Sequence, residues 1–402
     1  MKLAHPPGTH LTYCTNIHAG HTWPEVRANL ATHVLDVKRA VAPERRFGVG
    51  LRLSGVAAAE LGEPAALDEL ESFLDDNDLY VFTINGFPHG SFHATRVKED
   101  VYRPDWLEDE RLRYTDRLAS ILARLLPDEP GLDGTVSSVP LAYRARVAGD
   151  ADVAAMVVRL VRHVEHLWKI REQTGKTIVL ALEPEPCCYV ETIAETVAFF
   201  ESHVLGPTAI TQLAGLTGRS PAQAEGLLRR HLGVCLDTCH AAVEFEHPEQ
   251  AVAALRRAGI AVGKMQLSAG LRVAQIDEAR AAGLVAFADD VYLHQVVERR
   301  ADGLARYPDL PEAIAALGDA SGAGPEWRIH FHVPLFLERL GELENTQPFL
   351  KEMLAIHARE PITSHLEVET YTWDVLPEAY RNEPVSRAVA RELGWVLEHL
   401  TS

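Results

Sequence analysis

The chain has 402 residues, of which 47% are hydrophobic and 24% are charged, and its 39 basic and 57 acidic residues give a formal net charge of −18. This composition is typical of a soluble globular protein and excludes a disordered chain. The acidic balance also argues against nucleic acid and anionic membrane surfaces as partners.

Short apolar runs, typical of buried parallel strands, recur along the chain with helical patterns between them. The runs cover residues 11–18, 47–54, 80–87, 134–141, 177–183, 232–237, 262–268, 327–335 and 363–372. Repeated strand-then-helix units predict a parallel sheet, and about eight such units predict an α/β fold of the (β/α)8 TIM-barrel type. Because there is one run too many for that ring, either 327–335 or another run lies outside it.

Helix boundaries are marked by local signals. Residues 22–25 match a capping box with an early proline and predict a helix to about residue 40. Apolar residues at helical spacing over 157–168, followed by Gly175, predict a second helix and its end. Residues 220–223 repeat the capping box and predict a third helix start.

The sequence contains no fixed-period repeat and no flexible linker, so residues 1–402 are predicted to form a single TIM-barrel domain with insertions. A helical insertion is expected near 205–231 and a longer one near 270–341. The longer insertion contains apolar runs at 292–298 and 327–335, which could form a small subdomain over the barrel mouth.

Cellular location is constrained by what the sequence lacks. We find neither the apolar segment of a secretory signal near residue 1 nor the roughly 20 uninterrupted apolar residues of a membrane span. Five cysteines form a sparse, odd set that does not resemble a disulfide framework. The set is Cys14, Cys187, Cys188, Cys235 and Cys239. We therefore expect a cytoplasmic protein without direct membrane insertion.

Polar side chains gather where the predicted strands end, which is where barrel enzymes hold their catalytic groups. They include Asn16, His18, Asn85, Glu183, Glu185, Asp237, His240, Gln266, His330, His332, Glu367 and Glu369. Any one alone is typical of a capping or structural residue, but several carboxylates around one mouth repel one another unless a cation lies among them. Since hard divalent cations prefer oxygen ligands, the sequence predicts a metal cofactor, Mn2+, Mg2+ or Zn2+.

Three strand-end motifs carry a more specific resemblance. Leu182-Glu183 with Glu191 beyond it, residues 236–240 and Val368-Glu369 resemble the xylose isomerase-like TIM-barrel superfamily, and within it the ketose 3-epimerase branch. The resemblance implies one divalent metal held by Glu183, Asp237, Gln266 and Glu369. It also implies catalytic roles for Glu183 and Glu369 and substrate contacts from His240 and Arg272.

Gln266 is the departure from that pattern, because the enzymes carry histidine at this position. An amide oxygen is a weaker ligand than imidazole for borderline metals such as zinc. The site should therefore favour a hard cation or recruit another imidazole, and His332 is the best-placed donor. The alternative is that His330 and His332 only form hydrogen bonds within the insertion.

Two more residues are candidate substrate contacts. His18 ends the first run, and Glu367 lies two residues before Glu369, on the same face of the last strand. A purely structural role for His18 stays open.

Over nearly its whole length the chain is similar to the EboE "metabolite traffic protein" family. Four longer segments carry this resemblance: 11–18, 47–54, 332–336 and 365–373. That resemblance implies a xylose isomerase-like barrel encoded beside a prenyltransferase-like membrane protein, with a part in handling or exporting a secondary metabolite. The expected partner is a small sugar-like or secondary-metabolite ligand, and a homo-oligomer stays open.

These observations leave three functions open. The first is a metal-dependent isomerase or epimerase, in which Glu183 and Glu369 move a proton through an enediolate. The second is a non-catalytic metabolite-binding or trafficking protein that uses the barrel mouth as a pocket. The third is a metal-assisted hydrolase of the endonuclease IV kind, which the net charge of −18 disfavours for a DNA substrate.

Overall fold

The computed structural model describes residues 1–91, 93, 97–288, 290–317, 324–378, 381 and 383–401. The strands are β1 (His10–Tyr13), β2 (Phe47–Arg52), β3 (Leu79–Asn85), β4 (Gly134–Ser138), β5 (Ile178–Leu182), β6 (Leu232–Asp237), β7 (Ala261–Leu267), β8 (Leu271–Val273), β9 (Val296–Arg300), β10 (Gly303–Tyr307), β11 (Glu326–Ile329), β12 (Glu344–Asn345) and β13 (His365–Val368).

The helices surround this framework. They are α1 (Trp23–Asn29), α2 (Leu35–Val41), α3 (Gly55–Leu61), α4 (Pro64–Asp76), α5 (Asp109–Leu125), α6 (Asp150–Thr174), α7 (Ile193–Phe199), α8 (Pro207–Thr217), α9 (Pro221–His231), α10 (Thr238–Val243), α11 (Pro248–Ala258), α12 (Glu278–Leu284), α13 (Leu310–Ala315), α14 (Gln347–Arg359) and α15 (Val385–Thr401). Within the described ranges, no helix is both long enough and apolar enough to cross a membrane.

Eight parallel strands form the barrel, in the order β1-β13-β7-β6-β5-β4-β3-β2. The ring closes between β1 and β2, where Cys14 bridges Gly50. The Thr12 side chain reinforces this seam: its hydroxyl donates to the Gly48 carbonyl at 2.7 Å and accepts from the Gly50 N–H at 3.0 Å. The predicted (β/α)8 TIM barrel is thus confirmed.

The barrel strands are apolar because both of their faces are covered. Every residue of β2, β3, β5 and β6 is buried between the barrel interior and the helices. The polar exceptions on the barrel strands are buried in the interior, as Lys264 and Glu367 are, or lie where the strands end.

The extra run at 327–335 lies outside the ring. Its strand, β11, pairs antiparallel with β8 and β9 in a second sheet of order β10-β9-β11-β8-β12. The run at 292–298 overlaps β9 in the same sheet. Both sheets need short apolar strands, so composition alone could not assign this run. Residues 289 and 318–323 of the predicted insertion lie outside the described residues.

The helix signals are confirmed. A capping box joins Thr22 and Glu25 at the start of α1, and a π-helical turn over Leu30–Val34 links α1 to α2. Helix α6 ends at Gly175, whose φ of 75° is the left-handed conformation that glycine adopts without strain. The segment predicted as a helical insertion carries α8 and α9, and α9 begins with the Ser220 capping box.

Candidate metal centre

Three buried carboxylates meet at the C-terminal mouth of the barrel. Glu183 follows β5, Asp237 ends β6 and Glu369 follows β13, and parallel strands present these ends on the same side. One ligand oxygen from each side chain lies within 4.8 Å of the others. Their exposed fractions are 2%, 1% and 5%, so water screens their charges poorly.

Asp237 divides its two oxygens between structure and the cluster. Its Oδ1 atom accepts hydrogen bonds from the backbone N–H groups of Cys239 and His240, at 2.7 and 2.9 Å, which caps α10. The Ser268 hydroxyl donates to the same oxygen at 2.7 Å. The buried Oδ2 atom has no hydrogen-bond partner in the described part of the chain, so it is left for the cluster.

Glu369 is held in place by two amides. Its Oε1 atom accepts hydrogen bonds from the side-chain N–H groups of Asn16 at 2.7 Å and Asn85 at 3.0 Å. Glu183, opposite, has a buried Oε2 atom that finds no hydrogen-bond partner among the residues described. Neutral amide donors therefore orient Glu369, whereas Asp237 Oδ2 and Glu183 Oε2 have no hydrogen-bond partner among the described residues.

The electrostatics of the cluster favour a positive species. Burial raises the pKa of Glu183 well above its usual range, and repulsion from Glu369 and Asp237 raises it further. Burial and the Asp237 charge do the same to the pKa of Glu369, although the Lys264 cation opposes them. All-oxygen donors and partnerless buried oxygens fit a hard divalent cation.

Gln266 and His332 lie next to these carboxylates. Both amide atoms of Gln266 are buried and lack hydrogen-bond partners within the described ranges. The Nδ1–H group of His332 donates to the Glu369 backbone carbonyl at 2.9 Å, and its Nε2 atom is buried without a partner among those residues. His332 also forms a potential ligand group with Asp237 and His240. A ligand role for Gln266 and His332 stays a prediction.

His240 and His330 form an unusual contact, with their Nε2 atoms 3.1 Å apart. His240 donates its Nδ1–H to the Pro184 carbonyl at 2.9 Å, and His330 donates its own to Gln295 Oε1 at 2.8 Å. The Gln295 amide is oriented by its N–H donation to the Tyr102 hydroxyl at 2.7 Å. Two lone pairs thus face each other, so the contact requires a proton or a cation between the rings.

A cleft beside the cluster encloses about 520 Å³ of empty space, part of which is open solvent. Its polar lining residues are Asn16, Asn85, Lys98, Glu183, Glu185, His240, His330 and Glu369. Its apolar and aromatic lining residues are Phe87, Pro88, Val97, Val101, Tyr102, Tyr292, Leu293 and Tyr371. A concave site with a few convergent polar groups is the usual form of a small-molecule site.

The structure does not bring His18, Glu367 or Arg272 to the described cavity lining. His18 contacts the Tyr13 hydroxyl at 3.0 Å and stacks on His33. Arg272 lies on β8 in the second sheet, where its guanidinium donates to Glu326 and Glu344 at 2.8 Å each. These partners hold Arg272 in the second sheet and not in the described cavity lining, a position that a spacing match could not reveal.

Glu367 is committed elsewhere in the barrel. Its carboxylate accepts a hydrogen bond from Lys264 at 2.5 Å, and both side chains are fully buried. Residues two apart on a strand share a face. Glu367 therefore lies on the same interior face as Glu369, two residues deeper in the barrel.

Some cavity residues gave no sequence signal. Tyr102 ends a short 3-10 helix, Lys98–Tyr102, that no periodicity marks. Tyr292 and Leu293 belong to the apolar run at 292–298 that was expected over the barrel mouth, and they lie just before β9. Glu185 also carried a sequence signal, because it follows the β5 strand end by only a few residues. All five cysteines are free thiols.

Fold and site together define a (β/α)8-barrel protein with a buried carboxylate and imidazole cluster at its C-terminal mouth. No protein-family model matches the chain, and no curated protein matches it either. Membership of the EboE family therefore stays a prediction.

Among solved structures, the chain is similar in fold to the probable 3-DHS dehydratase AsbF from Bacillus anthracis, involved in petrobactin synthesis, at 12% identity over 97% of this chain and 98% of that chain (TM-score 0.45). It is also similar to the IolI protein with a bound zinc atom, at 14% identity over 98% of both chains (TM-score 0.44). A third is a xylose isomerase domain protein from Alicyclobacillus acidocaldarius, at 11% identity over 98% of this chain and 99% of that chain (TM-score 0.44).

Proposed function

We propose that this protein is a divalent-metal-dependent isomerase or epimerase of a polyhydroxylated, sugar-like metabolite. The observation that carries the proposal is the meeting of Glu183, Asp237 and Glu369, with ligand oxygens within 4.8 Å of one another in a buried site. Three like charges packed this closely are costly unless a cation neutralises them.

The residues present fit such a cation. Glu183, Asp237 and Glu369 would hold it through oxygen, with Gln266 or His332 as a further ligand. When bound, a divalent cation supplies Lewis-acid polarisation of a carbonyl and stabilises negative charge on its oxygen. The oxygen-rich ligand set favours Mn2+ or Mg2+ over zinc.

The protein's own groups then move the proton. Glu183 and Glu369 both line the cavity, so a substrate carbon bound between them is within reach of two carboxylates. Glu183 removes the proton beside the carbonyl to give an enediolate, and Glu369, positioned by Asn16 and Asn85, returns a proton to the opposite face.

His240 has a substrate role in this scheme. It lines the cavity next to Glu185 and is fixed by its hydrogen bond to the Pro184 carbonyl. Its Nε2 atom would hydrogen-bond a substrate hydroxyl that takes the place of the His330 contact. The EboE resemblance suggests that this substrate is a secondary metabolite.

The test is solvent deuterium exchange. Mn2+-loaded protein in D2O is incubated with hydroxyacetone, which offers a carbonyl and an adjacent hydroxyl, and incorporation beside the carbonyl is measured by mass spectrometry. We expect metal-dependent incorporation that falls about 100-fold or more in Glu183→Gln and Glu369→Gln. Glu392→Gln is the matched control, because Glu392 is also a buried carboxylate but is not among the described lining residues. Ligand binding without deuterium incorporation would contradict the proposed catalytic function and favour the non-catalytic metabolite-binding function.

A further inference from the structure

From the lining of the cavity, we infer that the substrate is amphiphilic: a carbonyl and hydroxyl head joined to an aromatic or alkyl body, instead of a free or phosphorylated sugar. This inference rests on the proposed function, because the head is the part that the carboxylate cluster would bind. The body is identified independently, by the chemistry of the remaining cavity wall.

The cavity has two chemically different halves. The half next to the cluster is supplied by residues at and just after strand ends, including Asn85 and Glu369. The other half carries Phe87, two residues beyond the end of β3, together with Val101 and Leu293 from connecting segments, and all three are partly exposed and apolar. A molecule that fills both halves meets hydrogen-bond partners at one end and hydrocarbon at the other.

The tyrosines add rings to the apolar half, because their hydroxyls are already engaged by the protein. The Tyr102 hydroxyl donates to Glu185 at 2.7 Å, and the Tyr292 hydroxyl contacts His93 at 3.3 Å. The Tyr371 ring packs edge-to-face on that of Tyr292, with centroids 5.3 Å apart. Such ring edges and faces are the surfaces on which an aromatic ligand packs.

The wall of the apolar half has a defined structure, because backbone hydrogen bonds join two segments there that are far apart in the sequence. The backbone N–H groups of Val97 and Lys98 donate to the Val291 carbonyl at 3.0 and 2.9 Å. Val97 and Tyr292 form a small buried cluster against which Val101 and Tyr371 pack. The wall is therefore held in shape by the insertion that crosses the mouth.

The charge of the wall argues against a phosphorylated sugar. Lys98 is the lining residue with a permanent cationic side chain among those described, and its ammonium is 2.7 Å from the Asp309 carboxylate. It also donates to the Tyr292 carbonyl at 2.7 Å. A phosphate recognition site is instead built from cations and N–H groups that converge on the ligand.

A free sugar fits the wall poorly for a related reason. Its hydroxyl groups surround the whole molecule, and those facing Phe87, Pro88 and Val101 would lose water without gaining a side-chain donor or acceptor there. An aromatic or alkyl body loses nothing in the same place and gains from leaving water.

The experiment compares two bidentate hydroxamates, which resemble an enediolate in offering two adjacent oxygens to a cation. Acetohydroxamate carries only the head, and 3-phenylpropanohydroxamate adds an apolar body. Calorimetry with the Mn2+-loaded protein gives both dissociation constants. We expect the phenyl compound to bind at least about tenfold more tightly. In Val101→Asn and Leu293→Asn that ratio should fall toward one, whereas Val56→Asn, which changes an apolar residue 40% exposed elsewhere, should keep it.

The outcomes separate the two proposals. If acetohydroxamate binds only in the presence of Mn2+ but the phenyl group adds no affinity, the amphiphilic substrate is wrong and the metal site stands. If the phenyl group adds affinity that neither wall substitution reduces, the assignment of the wall is wrong. If neither hydroxamate responds to Mn2+, the proposed function fails, and this inference fails with it.

Discussion

Lys264 donates a hydrogen bond to Glu367 at 2.5 Å inside the barrel, between the neighbouring strands β7 and β13. Both side chains are fully buried. Gly50 makes room for this pair, because a Cβ atom at that position would lie 1.9 Å from Glu367 Oε1. The Lys264 cation lowers the pKa of Glu183 and Glu369 against the effect of burial, whereas the Glu367 charge raises the pKa of Glu369.

The ion pair leads to a stability prediction. Lys264→Met leaves the Glu367 charge buried and unpaired, and we expect it to lower the free energy of unfolding by about 3–5 kcal/mol. The double variant Lys264→Met with Glu367→Leu should recover most of that loss, because no charge stays buried. Urea unfolding in EDTA measures both. Additive losses in the double variant would show that the two side chains are not energetically coupled.

Asp237→Asn separates metal binding from folding. Asparagine caps helices as well as aspartate and keeps an oxygen for the Cys239 and His240 N–H groups, but it removes the charge. We expect Mn2+ affinity to fall at least about tenfold, while stability in EDTA stays equal or rises because one of three like charges is gone. Calorimetric titration and urea unfolding provide the two readouts. Unchanged Mn2+ affinity would remove Asp237 from the ligand set.

His332 has a matched control in His231. Both rings are fully buried, donate Nδ1–H to a backbone carbonyl, and have Nε2 atoms without a partner among the described residues. His231 immediately precedes β6, whereas the cluster lies where β6 ends, about 17–20 Å away. We expect His332→Ala to weaken binding of Mn2+ and Zn2+ at least about tenfold and His231→Ala to leave it unchanged. Equal affinities in the two variants would leave Gln266 as the further ligand.

Glu392 predicts a pH dependence of stability. It accepts hydrogen bonds from the Leu335 N–H at 3.0 Å and the Thr370 hydroxyl at 2.7 Å, and burial raises its pKa to about 7. An unfolded glutamate titrates near 4.3, so between about pH 4 and 7 the folded state binds more protons. Its contribution to the unfolding free energy therefore falls as pH rises through that window.

The comparison variant is Glu392→Gln, which keeps an acceptor oxygen and does not titrate. We expect its stability relative to the natural chain to improve by roughly 3 kcal/mol between about pH 4 and pH 8. Urea unfolding in EDTA across that range is the measurement. A difference that does not change with pH would mean that Glu392 titrates normally in the folded protein.

The central part of the site could be predicted from sequence because it depends on local rules. Parallel strands end on one side of a barrel, so Glu183, Asp237 and Glu369 were expected to meet there. Helix α9 was equally predictable, because Ser220 and Gln223 cap it within four residues.

The apolar half of the cavity and the position of Arg272 depend on long-range contacts. Lys98 donates to the Tyr292 carbonyl, 194 residues away in the sequence, and no local pattern marks that pairing. Arg272 is held by Glu344 on β12, so its place in the second sheet depends on which strands pair. For the same reason the apolar run that contains β11 could not be assigned to one sheet in advance.

The most direct test of the metal centre is a crystal of the protein soaked with Mn2+, measured at the manganese absorption edge. We expect an anomalous peak within about 2.5 Å of carboxylate oxygens from Glu183, Asp237 and Glu369. Manganese bound only elsewhere, or no peak after a soak in saturating Mn2+, would contradict the metal centre.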